Sequence, residues 1–359
     1  SGTNEFEGSL FVDRTGTEWR AKTPGELRPG RQKARSKEEQ YGVSWSGPII
    51  KDKLHFFAAY EGKSYSTPRT LQLGAVGRYD PATVPASLLS QLGSAASPFT
   101  EDMFFGKLSW VVNEANLVEL SAQQRREEEV ILNSGANTVN RASVNENDVT
   151  RYDLRWQWSS MNWLNDAHLT FEDNSWAPRP SVNEPGYILT VSNLTPTARG
   201  STGTIVNAGG SSNNQDKGQR GYSFQDDLTF YGWEGHTLKM GVKYKRVDLI
   251  ATERNFSNPQ FYYDLNMSTS NPYRVEFGRG VPGTSGGFTT SDNTQLGLYV
   301  QDDWEVNDRL TLNYGVRWDY EVTPAYEDHV TPADLAANVR AYPNIQNAEY
   351  DIENYIANG

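Results

Sequence analysis

Arg309-Leu-Thr-Leu-Asn-Tyr-Gly-Val-Arg-Trp-Asp-Tyr320 alternates without a break. Successive side chains of an extended chain point to opposite faces. Leu310, Leu312, Tyr314, Val316, Trp318 and Tyr320 therefore share one face, and Thr311, Asn313, Gly315, Arg317 and Asp319 the other. A helical period would scatter both sets around an axis. The same pattern recurs in Thr237 to Tyr244, where Leu238, Met240, Val242 and Tyr244 oppose Thr237, Lys239, Gly241 and Lys243. It recurs again in Arg151 to Trp158, where Tyr152, Leu154, Trp156 and Trp158 oppose Arg151, Asp153, Arg155 and Gln157. Full charges on a regular strand face are costly inside a soluble core but ordinary in a polar barrel interior. Asp153, Arg155, Lys243, Arg317 and Asp319 are accordingly expected to face a lumen or a plug within it, where they either contact solute or simply hydrate the wall.

Two-residue alternation predicts an all-β chain of about eleven strands: 4–14, 40–48, 53–65, 101–112, 115–127, 148–159, 163–174, 221–231, 235–249, 294–305 and 309–321. The connections alternate in length. Tight turns fall near Pro48 to Asp52, Asn113-Glu114, Ser160 to Asn162, Gly232 to Glu234 and Asn307-Asp308, with long loops near 15–39, 66–100, 128–147, 175–220 and 250–293 between them. Short turns on one rim and long loops on the other are the layout of an antiparallel transmembrane β-barrel with periplasmic turns and extracellular loops. A soluble sandwich has no reason to keep that parity.

Composition narrows the function. Lys and Arg number 33 against 45 Asp and Glu, a formal net charge of −12, which disfavours a grip on nucleic acid phosphates. Aromatics reach 12%, with 10 Trp and 19 Tyr, too many for a disordered chain. The absence of Cys removes disulfides, thiolate zinc sites and cysteine nucleophiles. No apolar run approaches the ~18–20 residues of a spanning helix.

Catalytic constellations are missing. Gly283-Thr-Ser-Gly-Gly287 has the spacing of a serine nucleophile elbow but no helix after it, so Ser285 is not expected to be catalytic. His55, His168, His236 and His329 lie in separate segments without metal-ligand spacing. Asp226-Asp227 and Asp302-Asp303 cannot aim at one reacting atom, because adjacent strand residues face apart. No cofactor and no metal site are expected. The aromatics Trp176, Tyr187, Phe261, Tyr262 and Tyr263 fall in the long loops, where they either clamp a ligand by stacking or pack among the loops themselves.

The chain carries an internal echo. Phe224-Gln-Asp-Asp-Leu228 and a following Leu238-Lys-Met-Gly-Val-Lys-Tyr244 return as Val300-Gln-Asp-Asp-Trp304 and Leu312-Asn-Tyr-Gly-Val-Arg-Trp318. Strict alternation puts Asp226 and Asp302 on the apolar face. Either both sit in the headgroup zone near the short turns or a β-bulge resets the register.

Three anchors resemble a known family. Ser1-Gly-Thr-Asn-Glu-Phe-Glu-Gly-Ser-Leu10 resembles the first barrel strand of TonB-dependent outer-membrane receptors of the Oar-like kind. Gly47-Pro-Ile-Ile-Lys-Asp-Lys-Leu-His-Phe-Phe-Ala-Ala-Tyr-Glu-Gly62 is similar to their second-to-third strand hairpin, and Leu298-Tyr-Val-Gln-Asp-Asp-Trp-Glu-Val306 with Arg309 to Arg317 to a later one. The resemblance implies a 22-stranded barrel in the outer membrane of a Gram-negative bacterium, plugged by an N-terminal domain and energised through the TonB complex. At about 33 residues per strand such a barrel needs roughly 700 residues. Residues 1–359 are thus expected to form the first half of that barrel domain, with plug and remaining strands outside them.

The expected function is a non-enzymatic receptor and transporter barrel, in contact with outer-membrane lipid, that binds a bulky solute such as a peptide, protein or glycan at its extracellular loops and passes it through a plugged lumen. The alternatives are a soluble, secreted β-rich glycan-binding module and a passive porin or adhesin barrel.

Overall fold

A computed structural model describes residues 4–22, 27, 33, 36–192, 194–195, 198–199, 202–278, 287–324, 330–341, 353 and 356. Seventeen strands occur among them. β1 (Glu7–Gly16), β2 (Lys37–Ile50), β3 (Leu54–Leu71), β4 (Gly93–Asn113), β5 (Asn116–Ile131), β6 (Ser143–Ser159) and β7 (Trp163–Pro180) come first. Four short strands follow: β8 (Gly186–Val191), β9 (Leu194–Thr195), β10 (Ala198–Arg199) and β11 (Gly203–Gly209). Then come β12 (Gln215–Phe230), β13 (His236–Glu253), β14 (Gln260–Asp264), β15 (Arg274–Glu276), β16 (Gly287–Asn307) and β17 (Leu310–Val322).

The long strands make one antiparallel sheet of eleven in the order β1-β2-β3-β4-β5-β6-β7-β12-β13-β16-β17. Every neighbour in sequence among them is a neighbour in space. The eleven strands match the eleven expected from alternation, but most run farther at the ends away from the short turns. β4 begins at Gly93 rather than near 101, and β7 continues to Pro180 rather than 174. Beyond the membrane the side chains no longer need to alternate, whereas the backbone groups still need partners and keep the ladder going.

Burial is inverted on this sheet. On β6, Tyr152, Leu154 and Trp156 are exposed while Asp153, Arg155 and Gln157 are half-buried. Leu169, Phe224, Leu298 and Val300 on other strands of the sheet are exposed too. Two aromatic rows edge this apolar face. Near the short turns Trp163 packs on Phe230 at 4.5 Å, with Trp110, Trp156 and Trp304 on other strands. Higher up Tyr60 packs on Phe104 at 4.8 Å, Tyr152 on Phe171 at 6.3 Å and Tyr222 on Tyr244 at 6.1 Å. From Trp163 to Phe171, or from Phe230 to Tyr222, the strand rises roughly 26 Å, and its tilt reduces that to about 20 Å of height. That is close to the apolar band of an outer-membrane barrel.

The buried apolar core lies elsewhere, in the segments joining the far ends of the strands. Val84, Leu189, Val191, Ile205 and Val206 form one cluster, and Leu71, Leu132 and Ala142 another. A four-stranded sheet, β11-β8-β14-β15, carries most of the first, with β14 parallel to β8. A helical turn, α1 (Ala86–Leu89), sits beside Val84 in the chain. The long loops thus fold into a cap with its own core. A second unit, 322–359, contains the helix α2 (Ala333–Ala341), in which Ala336 is buried.

No bulge resets the register at the two acidic residues. Asp226 pairs with Val242 and Asp302 with Leu238 in unbroken ladders, so both carboxylates do stand on the apolar face. They persist there because the same face supplies polar partners. Asn165 Nδ2 donates to Asp226 Oδ1 at 2.8 Å. Asp302 Oδ2 lies 2.7 Å from His236 Nδ1 and accepts from Tyr314 Oη at 2.8 Å.

Candidate functional site

On the polar face, side chains from four strands join across the sheet. Lys107 Nζ on β4 lies 2.7 Å from Glu119 on β5, and Ser109 Oγ donates to the same carboxylate at 2.9 Å. Arg155 on β6 reaches Glu119 at 3.4 Å and grips Asp166 on β7 with both arms of its fork, at 2.7 and 2.5 Å. His168 lies 3.3 Å from Asp166 and from Asp153, which also accepts from Thr170 Oγ1 at 2.7 Å. Farther along, Tyr299 Oη donates to Asp227 at 2.7 Å and Lys239 Nζ to Asp303 at 2.7 Å. Paired charges of this kind make a hydrated wall rather than a reactive centre, since each carboxylate already has its cation or donor.

The five charges expected at a lumen all lie on this polar face. Asp153 and Arg155 belong to the network just described. Arg317 pairs with Asp319 on its own strand at 2.7 Å, and Lys243 is exposed.

The five aromatics expected in open loops lie instead on strands. Trp176 is in β7, beneath Lys217 Nζ at 5.8 Å from its ring centre. Tyr187 on β8 stacks on Phe261 of β14 at 6.1 Å, and Tyr187 remains exposed. Tyr262 donates to Glu276 at 2.5 Å and carries Arg274 over its ring at 4.8 Å. Tyr263 packs against the Val84 to Val206 cluster. Four of the five therefore meet in the cap, and Trp176 does not join them.

Residues without any pattern in the sequence tie the cap together. Asp216, beyond the upper aromatic row, is gripped by Arg179 of β7 and by Arg254 at 2.6 Å. Burial opposes its ionisation, but the two guanidiniums outweigh burial and hold its carboxyl below the usual range. Arg141, in the turn between β5 and β6, donates from Nη1 to Gly210 O at 2.8 Å and to Gln260 Oε1. Its burial pulls the guanidinium below the usual arginine range.

No group of three or more His, Asp or Glu side chains fit to hold a metal occurs among the described residues. Ser285 and His329 lie outside the described residues. No helix among the described residues is long and apolar enough to cross a membrane, which says nothing of strands.

No curated protein matches the sequence. Solved structures match the fold at low identity. The outer-membrane transporter YddB of Escherichia coli aligns with a TM-score of 0.60 at 13% identity, over 89% of this chain and 40% of that one. A ferric enterobactin receptor (PfeA) variant of Pseudomonas aeruginosa aligns at 0.52 and 15%, over 89% and 40%. The ferripyoverdine receptor of the Pseudomonas aeruginosa outer membrane, bound to ferripyoverdine, aligns at 0.54 and 14%, over 90% and 38%. The chain thus spans about two-fifths of the length of these relatives, which bear the names of transporters and receptors rather than enzymes. The sequence also matches the family described as outer membrane beta barrel domain over residues 1–78 and 79–351, nearly its whole length. With one face apolar and edged by aromatics, the other charged, and turns and cap at opposite ends of the strands, the chain belongs to the outer membrane β-barrel domain family, and its place is the outer membrane of a Gram-negative cell.

Proposed function

We propose that residues 1–359 form part of the barrel of a TonB-dependent receptor, which captures a bulky solute at its folded cap and passes it along the polar wall once a plug moves. The observation that carries this reading is the asymmetry of the sheet. One rim is closed by tight turns, while the other bears a cap with a buried core and aromatic, cationic and acidic side chains. A passive pore needs the polar wall but not a folded cap with its own buried core. The wall charges Asp153, Arg155, Lys243, Arg317 and Asp319 would contact plug or solute, and Tyr187 with Phe261 would present the stacking surface. A peptide, protein or glycan suits a platform of this breadth. The length of the solved relatives, more than twice the matched part, supports a larger parent protein with a plug and further strands.

Fractionation of cells making the whole protein tests the barrel, and gels run with and without heating test its closure. A band confined to the outer membrane that migrates faster unheated is expected. Recovery in the soluble fraction without a heat shift would remove this reading in favour of a secreted glycan-binding module. Capture of the whole protein on immobilised periplasmic TonB domain tests the coupling; a barrel that TonB does not retain would be a porin or adhesin.

A further inference from the structure

We propose that Arg141 is the cationic centre of an oxyanion site in the cap that takes a carboxylate or phosphate group. The inference rests on the reading of the cap as the solute-capturing end.

The frame around Arg141 is built rather than incidental. Its Nη1 meets Gly210 O at 2.8 Å and Gln260 Oε1. Gln260 is 0% exposed and donates in turn to Asn258 O at 2.7 Å and Gly210 O at 3.2 Å. A Cβ at Gly186 would stand 2.1 Å from Gln260 Oε1, so the backbone of β8 can lie this close only as glycine. Frame and guanidinium are therefore fixed together.

Both of its acceptors are neutral. Several arginines of the cap and upper rim do have carboxylates: Arg179 and Arg254 share Asp216, Arg274 has Glu276 and Arg125 has Glu101. No carboxylate lies within ion-pair distance of Arg141 among the described residues. Glu184, beside the same turn, is bonded to Asn140 Nδ2 at 3.1 Å instead. A half-buried cation without a counter-ion is unfavourable, and the more so for being avoidable. Nε and Nη2 have no acceptor among the described residues and are not sealed from solvent. They present the planar two-donor edge that matches a carboxylate or phosphate. In a chain of net charge −12, an isolated cation also selects for anions locally against the overall field.

The test uses the whole protein in detergent micelles, titrated calorimetrically with inorganic phosphate and with succinate against chloride of equal ionic strength. Binding of at least one probe is expected, with affinity falling tenfold or more in R141Q and less in R141K, which keeps the charge but loses the fork. The melting temperature of the wild type should rise with added probe, whereas that of R141Q should not respond to it. Neither probe binding the wild type, or binding unchanged in R141Q, would overturn the proposal. So would a melting temperature that rises equally with probe in wild type and R141Q. A heat-shifted outer-membrane band obtained alongside any of these results would leave the receptor reading intact and remove this one alone.

Discussion

His236 Nδ1 stands 2.7 Å from Asp302 Oδ2 on the face of the sheet that meets lipid. Asp302 is 8% exposed, lies five residues before the Asn307 turn and also accepts from Tyr314 Oη, while the His236 ring stacks on Trp304 at 5.3 Å. Three strands, β13, β16 and β17, are thereby joined through side chains as well as backbone. In hydrocarbon each of these groups alone would be an unsatisfied dipole or charge, but together they make a clamp beside the lower aromatic row.

Asp302→Ala should therefore destabilise the barrel by leaving His236 and Tyr314 without their acceptor. The temperature at which the folded band is lost on gels is expected to drop by several degrees. Replacing all three groups with apolar residues of similar shape, Asp302→Leu, His236→Phe and Tyr314→Phe, should restore most of it, because the buried dipoles are then removed together. No change in Asp302→Ala would show that the clamp carries nothing.

Opposite faces of β17 should respond oppositely to charge. Val316 is 67% exposed on the apolar face, and Asn313 lies on the polar one. Val316→Arg is expected to weaken folding into micelles by about 2–4 kcal/mol, the cost of a cation near the bilayer midplane, whereas Asn313→Arg should be tolerated. Urea titration of the two variants checks this, and equal effects would contradict the assignment of faces.

The cap should loosen in acid. Asp216 is held below its usual range by Arg179 and Arg254, so its contribution is present above the ordinary aspartate value near 4 and is lost as pH falls through the lower folded value. Relative to intrinsic exchange rates, the protection of the described amides within 181–214 and 254–278 is expected to fall below about pH 4 while the sheet stays protected. Asp216→Asn should be poorly protected there at both pH 3 and pH 7. A loop whose protection follows pH equally in that variant would rule out Asp216 as the sensor.

All eleven long strands were legible because lipid on one side and water on the other force strict alternation, as at Leu310 to Tyr320. Their upper ends were not, since above the upper aromatic row the alternation fades while backbone pairing continues; this is how Trp176 comes to lie in β7. The cap strands were hidden for a different reason. β8 and β14 are six and five residues long and pair in parallel across some seventy residues of chain, so neither turn chemistry nor local period announces them. The placement of Asp226 and Asp302 followed correctly from alternation, but their tolerance depends on Asn165, His236 and Tyr314, partners that only the sheet register brings near. Arg141 and Gln260 carry no local signal at all.

The absence of Cys makes the central claim directly measurable, because single cysteines can be introduced one at a time along β6 from Arg151 to Trp158 and spin-labelled in lipid vesicles. Accessibility to oxygen, which concentrates in lipid, should peak at 152, 154 and 156, and accessibility to a water-soluble nickel chelate at 151, 153, 155 and 157. A two-residue period in that phase is the expected result; a uniform profile, or the opposite phase, would contradict an apolar face turned to the membrane and a charged face turned to the lumen.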